Sequence, residues 1–337
     1  MRDIHRLPRI SLGTLPTPLE EAPRLGAALG LSRLLVKRDD LTGLALGGNK
    51  VRKLEYVMAD VRAKGADVVI TAAGPQSNRA RMTAAACRKA GFECILLLAG
   101  EYGVKQPVGN LMLDEVFGAD VRFIDAPDSY SAEALAEARR IADGLRRAGR
   151  TPYLTEVGGL AEPLSDVGYF AGGRELIEQC RAAGVEPGAV LLATGSGGTQ
   201  AGLVIGAKAL SDRCRVIGIS VSDPQGPFAE EVLAIARAAD EALGLRLGVE
   251  PSDVIVLDKY IRDGYGMVDR EVAETIRLVF TREGIVLDPV YTAKAMAGLV
   301  DLILTGYFKP TDKVVFFHTG GTPALFPNRE KIVEFLK

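Results

Sequence analysis

The sequence predicts an α/β fold in which mostly parallel sheets are flanked by helices. Short apolar runs rich in β-branched residues alternate with longer segments whose apolar residues recur at helical intervals. This alternation is typical of βαβ units, in which successive strands run parallel. The length of 337 residues is about twice that of an average domain, so we expect two domains.

The predicted strands are Asp67 to Thr71, Glu93 to Leu98, Asp120 to Ile124, Ala189 to Thr194, Arg215 to Ser220, Val254 to Leu257 and Lys313 to His318. Helical spacing relates two sets of apolar residues: Val51, Leu54, Val57, Met58 and Val61, and then Leu135, Ala138, Ile141 and Leu145. Breaks in the pattern at Asp40 to Asn49 and at Thr155 to Pro163 resemble domain crossings. We therefore predict a small α/β domain over residues 51–158 and a large domain of residues 1–50 and 159–337.

The composition favours a small-molecule ligand over a macromolecular one. Lys and Arg number 41 against 43 Asp and Glu, and aromatic residues make up 6% of the chain. Without a basic stripe or a set of aromatic rings for base stacking, we expect no nucleic-acid partner. The N-terminus lacks the apolar run of a signal peptide and no stretch is long enough to span a membrane, so we expect a cytoplasmic protein.

Cysteine and histidine usage argues against several kinds of chemistry. The cysteines lie too far apart for a disulfide framework or a Cys-x-x-Cys zinc site, at Cys87, Cys94, Cys180 and Cys214. The chain has two histidines, His5 and His318, which weakens any proposal of a Ser-His-Asp triad, a Cys-His pair or a histidine metal site. We expect no bound metal, and we interpret His318 as a core histidine.

One predicted helix begins with three cations directly after Gly47-Gly48-Asn49, at Lys50, Arg52 and Lys53. This is unusual because cations are unfavourable at the positive end of the helix dipole. We interpret the turn as an anion site in which one lysine is a nucleophile, because the same dipole lowers the pKa of an ammonium group.

Three other strand ends carry unusual residues, and ligands bind at such ends in parallel sheets. Gln76-Ser77-Asn78 precedes Arg79 and Arg81 and is interpreted as a turn that holds a carboxylate. The turn Gly195 to Thr199 predicts a phosphate cradle of backbone N–H groups, in which a branched side chain at Gly197 would block the anion. Thr319 follows the last strand, and its hydroxyl could face a ring nitrogen without protonating it.

These motifs match a known family. They are Lys37-Arg38-Asp39-Asp40-Leu41, the run from Gly47 to Glu55, Gln76-Ser77-Asn78, Gly195-Ser196-Gly197-Gly198-Thr199 and Asp288-Pro289-Val290-Tyr291. The chain resembles, over nearly its whole length, the D-cysteine desulfhydrase and aminocyclopropane-carboxylate deaminase family. These are fold-type II pyridoxal-phosphate enzymes similar to the tryptophan synthase β subunit, so the resemblance implies a two-domain enzyme with pyridoxal 5'-phosphate as cofactor.

The resemblance also implies roles for individual residues. Lys50 would carry the cofactor, and its phosphate would be held by Lys53 and by Gly195, Ser196, Gly197, Gly198 and Thr199. Asn78 would hydrogen-bond the phenolic oxygen of the cofactor, and Thr319 would lie beside its ring nitrogen. The substrate would be bound by Gln76, Ser77, Asn78 and Arg79, with Ser77 at its carboxylate, and would be bordered by Tyr265 and Tyr291. We expect a homodimer.

Two departures from the family pattern bear on the reaction. The deaminase branch usually has Glu after the family tyrosine and Leu before the last Gly-Gly pair, where this chain has Thr292 and Thr319. The desulfhydrase branch usually has His after Gln-Ser-Asn, where this chain has Arg79. The resemblance therefore predicts α,β-elimination on a small amino acid and leaves D-cysteine itself open as the substrate.

Other readings stay open at this point. Related chemistry includes cysteate sulfo-lyase, ring-opening deaminase, β-replacement and racemase reactions. From other classes, the chain could be a nicotinamide-dependent dehydrogenase, although the Gly195 turn lacks the full G-x-G-x-x-G/A fingerprint, or a sensor of a phosphorylated ligand. An inward Arg79 would suit an acidic substrate side chain, and an outward Arg79 would suit thiol elimination.

Overall fold

A computed structural model describes residues 7–100, 107–155, 163–211 and 213–337. Its strands are β1 (Leu19–Glu21), β2 (Arg33–Arg38), β3 (Val68–Ala73), β4 (Glu93–Leu98), β5 (Asp120–Phe123), β6 (Pro152–Leu154), β7 (Ala189–Thr194), β8 (Arg215–Ser220), β9 (Val254–Leu257) and β10 (Lys313–His318). Its helices are α1 (Pro23–Leu29), α2 (Lys50–Ala63), α3 (Asn78–Ala90), α4 (Gly109–Val116), α5 (Ala132–Arg147), α6 (Pro163–Ala182), α7 (Gly198–Lys208), α8 (Gln225–Leu243), α9 (Arg270–Glu283), α10 (Thr292–Leu304) and α11 (Arg329–Leu336).

The strands form two sheets. The larger has the order β1-β2-β10-β7-β8-β9 and is parallel except for β1, which pairs antiparallel with β2 at one edge. The smaller has the order β5-β4-β3-β6 and is parallel throughout. Parallel strands must be covered on both faces, and the central strands β3 and β7 are buried at every position.

The helices cover both sheets with the faces that the apolar spacing predicted. Val51 and Met58 of α2 pack in one core with Val69 of β3 and Leu96 of β4. Ile141 of α5 packs in a second core, on the opposite face of the same sheet. The predicted α/β class is therefore confirmed, because helices such as α2 and α5 cover the parallel sheet with apolar faces.

The observed strands differ from the predicted ones where side-chain patterning is weak. β3 extends to Ala73 rather than Thr71, because the small residues Ala72 and Ala73 continue the pairing with β4. The predicted strands did not include β1, β2 or β6. β1 carries two glutamates at the sheet edge, where charge is compatible with a strand, and β6 has three residues.

The two sheets divide along the chain near the predicted crossings. Strands of the smaller sheet lie between Val68 and Leu154, and both ends of the chain contribute to the larger sheet. The predicted boundary between residues 158 and 159 lies outside the described residues, as does His5. None of the helices in the four described ranges is long and apolar enough to cross a membrane.

Candidate active site

A cavity of about 990 Å³ lies where strands of both sheets end. Its lining includes Gly74 after β3, Ala99 after β4, Gly195 after β7 and Thr319 after β10. The carboxyl ends of parallel strands meet here with several helix N-termini, which is where such sheets bind ligands.

The cavity brings together nearly all of the site residues that the sequence predicted. Its lining contains Lys50, Lys53, Ser77, Asn78, Arg79, Gly195, Ser196, Gly197, Gly198, Thr199, Tyr265, Tyr291 and Thr319. Gln76 is not among the described residues that line it. The Gln76 amide donates to Val108 O at 3.0 Å and accepts from Asn110 N at 3.0 Å, so it holds the start of α4.

Lys50 is the first residue of α2 and is positioned by the strand end at Thr319. Asn49 N donates to Thr319 O at 2.9 Å, and Lys50 Nζ lies 3.5 Å from Asn49 Oδ1. Glycine is needed on both sides of this contact, because a Cβ at Gly320, whose φ is +86°, would lie 2.6 Å from Gly48 Cα. The two Gly-Gly pairs therefore let the lysine turn and the end of β10 touch.

The turn from Gly195 to Thr199 joins β7 to α7 beside Lys53. Lys53 Nζ lies 3.3 Å from Asp166 Oδ1 of α6, and both side chains are buried. A Cβ at Gly198 would lie 2.6 Å from Lys53 Nζ, so the ammonium group packs directly against the turn. First-turn N–H groups of α7, the Thr199 hydroxyl and this cation face one volume and can bind a phosphate there.

The reason for glycine at position 197 differs from the predicted one. A Cβ at Gly197 would lie 3.0 Å from Ile235 Cδ1 and 3.1 Å from Val232 Cγ2, and its φ is +72°. The missing side chain therefore points into the core under α8 and not toward an anion. The prediction that a branched side chain here blocks the phosphate is wrong, although the positive φ still requires glycine.

Ser77 and Asn78 form the start of α3. Ser77 Oγ accepts from Arg79 N at 3.1 Å and from Ala80 N at 3.4 Å, as an N-cap does. Asn78 Oδ1 accepts from Asn110 Nδ2 at 3.0 Å. The start of this helix therefore offers a hydroxyl and an amide to the cavity.

Two tyrosines meet across the cavity. The hydroxyl groups of Tyr265 and Tyr291 are hydrogen-bonded to each other, and the rings are 5.9 Å apart in an edge contact. Burial, followed by the Tyr265 hydroxyl, raises the pKa of Tyr291. Lys294 Nζ donates to the carbonyls of Ile261 at 2.9 Å and Gly264 at 2.6 Å, so it anchors the turn that carries Tyr265. The Tyr291 hydroxyl therefore stays protonated at neutral pH and can donate.

Thr292, the residue after Tyr291, is turned away from the cavity. Its hydroxyl donates to Asp288 Oδ1 at 2.7 Å and accepts from Asp288 N at 2.8 Å, and both side chains are fully buried. Asp288 Oδ2 also accepts from Tyr291 N at 3.0 Å. This compact turn sets the backbone of Tyr291.

Two of the cations predicted to form anion sites lie elsewhere. Arg52 is buried beneath α2, with Nε 2.8 Å from Asp39 Oδ2 and Nη1 2.9 Å from Glu175 Oε2. Arg81 is buried on the far side of α3 and donates to Asn110 Oδ1 at 2.9 Å and to Gly47 O at 2.9 Å. Adjacent positions on a helix face different directions, so Lys50, Lys53 and Arg79 line the cavity and these arginines do not.

The cavity mouth contains residues that the sequence interpretation missed. Arg79, which is half-buried, shares the lining with Tyr130 and three carboxylates, Asp128, Asp223 and Glu231. Burial, followed by the charge of nearby Asp223, raises the pKa of Glu231. Tyr130 and the three carboxylates lie in loops and on α8, far apart in the chain, and no local pattern marks them. Asp166 could have been suspected as an acid in the first turn of α6.

His318 is a core residue, as expected. It is fully buried, its Nδ1 accepts from Gly320 N at 3.1 Å, and its Nε2 lies 2.9 Å from Val286 O. Because Nδ1 accepts a hydrogen bond, Nε2 is the nitrogen that donates to Val286 O. All four cysteines are free thiols.

The fold and the site together define an enzyme that binds a phosphorylated cofactor beside a lysine. The family profile described as pyridoxal-phosphate dependent enzyme matches residues 10–320, and the chain belongs to this family. Curated relatives include a putative 1-aminocyclopropane-1-carboxylate deaminase of Pyrococcus furiosus, 40% identical over 99% of this chain and 98% of the relative. A D-cysteine desulfhydrase of Klebsiella pneumoniae is 40% identical over 97% of this chain and 98% of its own length.

Solved structures agree with this assignment. A crystal structure titled as that of an ACC deaminase homologue superimposes with a TM-score of 0.89 at 39% identity, over 98% of this chain and 97% of the other. Threonine deaminase isoform 2 of Solanum lycopersicum shares the fold, with a TM-score of 0.67 at 18% identity over 99% of this chain and 85% of the other. The predicted family, fold type, cofactor and class, a pyridoxal-phosphate-dependent lyase, are confirmed.

The residues present fit pyridoxal phosphate. The Gly195 to Thr199 turn with Lys53 provides an anion cradle, and the cavity between it and Thr319 is large enough for the ring. The buried hydroxyl Oγ1 of Thr194 has no hydrogen-bond partner within the described part of the chain, although it borders this cavity. An unsatisfied polar atom at this place is what a missing polar ligand would leave.

Proposed function

We propose that this lyase catalyses α,β-elimination on a small amino acid with a leaving group on Cβ, as a D-cysteine desulfhydrase does. The observation that carries the proposal is the turn after Tyr291. The resemblance places a glutamate there in ring-opening deaminases, but here Thr292 is fully buried and bonded to Asp288. The tyrosine pair beside it supplies hydroxyl donors instead of a carboxylate.

Each residue of the site has a role in the proposed reaction. Lys50 would hold the cofactor, and its amine would take the proton from substrate Cα. When bound, pyridoxal phosphate supplies a ring that accepts the negative charge formed at Cα. Ser77 and the first N–H groups of α3 hold the substrate carboxylate, because a helix N-terminus favours an anion.

The tyrosine pair acts on the leaving group. Tyr265 and Tyr291 share a hydrogen bond, so either hydroxyl can donate a proton while the other stabilises it. With cysteine, the Cα–H and Cβ–S bonds break, and the released three-carbon enamine hydrolyses. The balance is cysteine plus water giving pyruvate, ammonia and hydrogen sulfide.

The charges at the mouth favour a neutral substrate side chain over an acidic one. Arg79 lies there with Asp128, Asp223 and Glu231, so one guanidinium is outnumbered by carboxylates. A sulfonate or a second carboxylate on the substrate would meet like charges. We therefore place thiol elimination ahead of cysteate or other acidic substrates.

The test uses the purified holoenzyme with D- and L-cysteine, cysteate, serine and 1-aminocyclopropane-1-carboxylate. We expect equal amounts of pyruvate and sulfide from one enantiomer of cysteine. A four-carbon oxoacid from the cyclopropane substrate, or loss of optical activity without any oxoacid, would contradict elimination. Tyr291→Phe and Tyr265→Phe should lower kcat by about a hundredfold or more, and Tyr307→Phe, an exposed tyrosine outside the cavity, is the matched control.

Three further expectations are kept as proposals. The domain division at residues 51–158 is supported by the separate small sheet and is checked by limited proteolysis. The homodimer is checked by light scattering of the holoenzyme, and the cytoplasmic location by fractionation of the source cells.

A further inference from the structure

Behind the start of α3, Asn78 of the cavity lining is hydrogen-bonded to two residues outside that lining, Arg81 and Asn110. Arg81 and Asn110 are fully buried. Arg81 Nη1 lies 2.9 Å from Asn110 Oδ1 and 3.3 Å from Asn78 Oδ1. Asn110 Nδ2 donates in turn to Asn78 Oδ1 at 3.0 Å and to Gln76 O at 2.7 Å.

The guanidinium decides how both amides are oriented. Arginine carries five N–H donors and no acceptor, so an amide that faces it must present oxygen. Two donors, from Arg81 and Asn110, converge on Asn78 Oδ1. The Nδ2 group of Asn78 is therefore turned the other way, and it donates to no residue of the described chain. Asn78 lines the cavity, so this donor is directed there.

The same arginine connects this amide to the lysine turn. Arg81 Nη2 donates to Gly47 O at 2.9 Å, three residues before Lys50. One buried side chain of α3 thus contacts both the backbone that precedes Lys50 and the Asn78 amide at the start of its own helix. The network is only partly satisfied, because Arg81 Nε has no hydrogen-bond partner among the described residues. A buried polar group without a partner lowers the stability of the fold.

We propose that Arg81 is a positioning residue that, together with Asn110, holds Asn78 so that its amide presents a hydrogen-bond donor and never an acceptor to the cofactor. The inference rests on the proposed role of Asn78 at the phenolic oxygen. A fixed donor at that oxygen favours its anionic form, whereas an amide free to rotate would present its acceptor part of the time and repel it.

The experiment measures the pH midpoint of the visible absorbance change of the bound cofactor, and the affinity of the apoprotein for pyridoxal phosphate. Asn78→Ala removes the donor and should raise the midpoint. Arg81→Met should raise it in the same direction and weaken cofactor binding by about fivefold to tenfold. In the double variant, Arg81→Met should add no further shift, because its effect acts through Asn78.

Other variants separate orientation from packing. Arg81→Lys keeps donors at this position and should give a midpoint closer to that of the native protein than Arg81→Met does. Asn110→Ser removes the second donor and should raise the midpoint even if Arg81→Met fails to fold. Arg88→Met, on the same helix but exposed and bonded to Phe117 O, is the matched control and should leave the midpoint unchanged.

The outcomes distinguish the two proposals. If Asn78→Ala leaves the midpoint unchanged, the role of Asn78 at the cofactor is wrong and the positioning role falls with it. If Asn78→Ala raises the midpoint while Arg81→Met and Asn110→Ser do not, Asn78 keeps its role and the positioning role of Arg81 is overturned.

Discussion

Helices α2 and α3 both begin at the cavity with cations in their first turns, and both send one arginine away from it. In α2, Arg52 is buried against two carboxylates, Asp39 and Glu175. In α3, Arg81 is buried against neutral amides and a carbonyl. Both helices begin with cations, which is unusual, but they differ in the partners of the buried arginine: carboxylates in α2 and neutral groups in α3.

This difference is reflected in the pKa values of the carboxylates near each arginine. Burial alone would raise the pKa of Asp39, but Arg52, with smaller contributions from Lys37 and Tyr169, outweighs burial and lowers that pKa. Asp114 of α4 lies near Arg81 without a hydrogen bond to either oxygen among the described residues, and burial raises its pKa to about 8. The comparison suggests that the arginine of α2 contributes mainly to stability and the arginine of α3 to orientation.

The largest expected effect is on Lys50, one of two cations of α2 that line the cavity. Lys50→Ala should lower kcat by a factor on the order of 10⁴ or more, since it removes both the cofactor attachment and the base. Borohydride reduction of the native holoenzyme followed by peptide mapping should label Lys50. A label on Lys53 or Lys37 would contradict the assignment.

The next effect concerns stability and separates Arg52 from Lys50. Arg52→Met should lower the free energy of unfolding by about 3 to 5 kcal/mol, because it leaves the buried Asp39 without its partner. Denaturant unfolding of the apoprotein measures it. Arg174→Met, which breaks a surface pair with Glu178, should cost under about 1 kcal/mol. Equal losses of unfolding free energy in the two variants would show that the buried ion pair contributes no more to stability than the surface pair does.

The third prediction uses pH to sharpen the contrast between the carboxylates. The lowered pKa of Asp39 means that its contribution to stability is present above the usual carboxyl pKa and is lost as the pH falls. The raised pKa of Asp114 works in the opposite direction, so its contribution is fully present below the usual carboxyl pKa and is lost progressively as the pH rises from there to about 8.

Asp114→Asn should therefore leave the free energy of unfolding little changed at about pH 4 and increase it relative to the native protein at about pH 9. Thermal unfolding at the two pH values checks it. A substitution that destabilises the protein equally at both would show that Asp114 is not protonated in the native state.

The smallest effect is expected at Arg79, the cavity-facing cation of α3. Because the mouth also holds three carboxylates, Arg79→His should change kcat/KM for cysteine by less than about tenfold and leave the order of substrates unchanged. A bidentate contact with an acidic substrate would be worth about 1.5 to 3 kcal/mol. A selective tenfold to hundredfold loss of kcat/KM for cysteate in Arg79→His would therefore indicate an acidic substrate.

Much of the fold could be predicted because it depends on local patterning. Strands such as β4, β7 and β10 were predicted with their observed bounds, since buried parallel strands are uninterrupted apolar runs. Glycine pairs and helix starts identified the strand ends that line the cavity. Local patterning could not predict β1 and β6, because strands of three residues are too short to show a periodicity.

The sequence by itself determined which segments carry ligand-binding chemistry, because glycine turns, caps and misplaced cations are properties of neighbouring residues. Tertiary structure alone decided which cations of the two helices face the cavity. Arg52 and Arg79 were equally plausible as ligand residues from sequence, but Arg52 meets Glu175, which lies 123 positions away in the chain. The direction of a side chain at a helix start depends on what packs beneath the helix, and those partners come from distant segments that no local pattern relates.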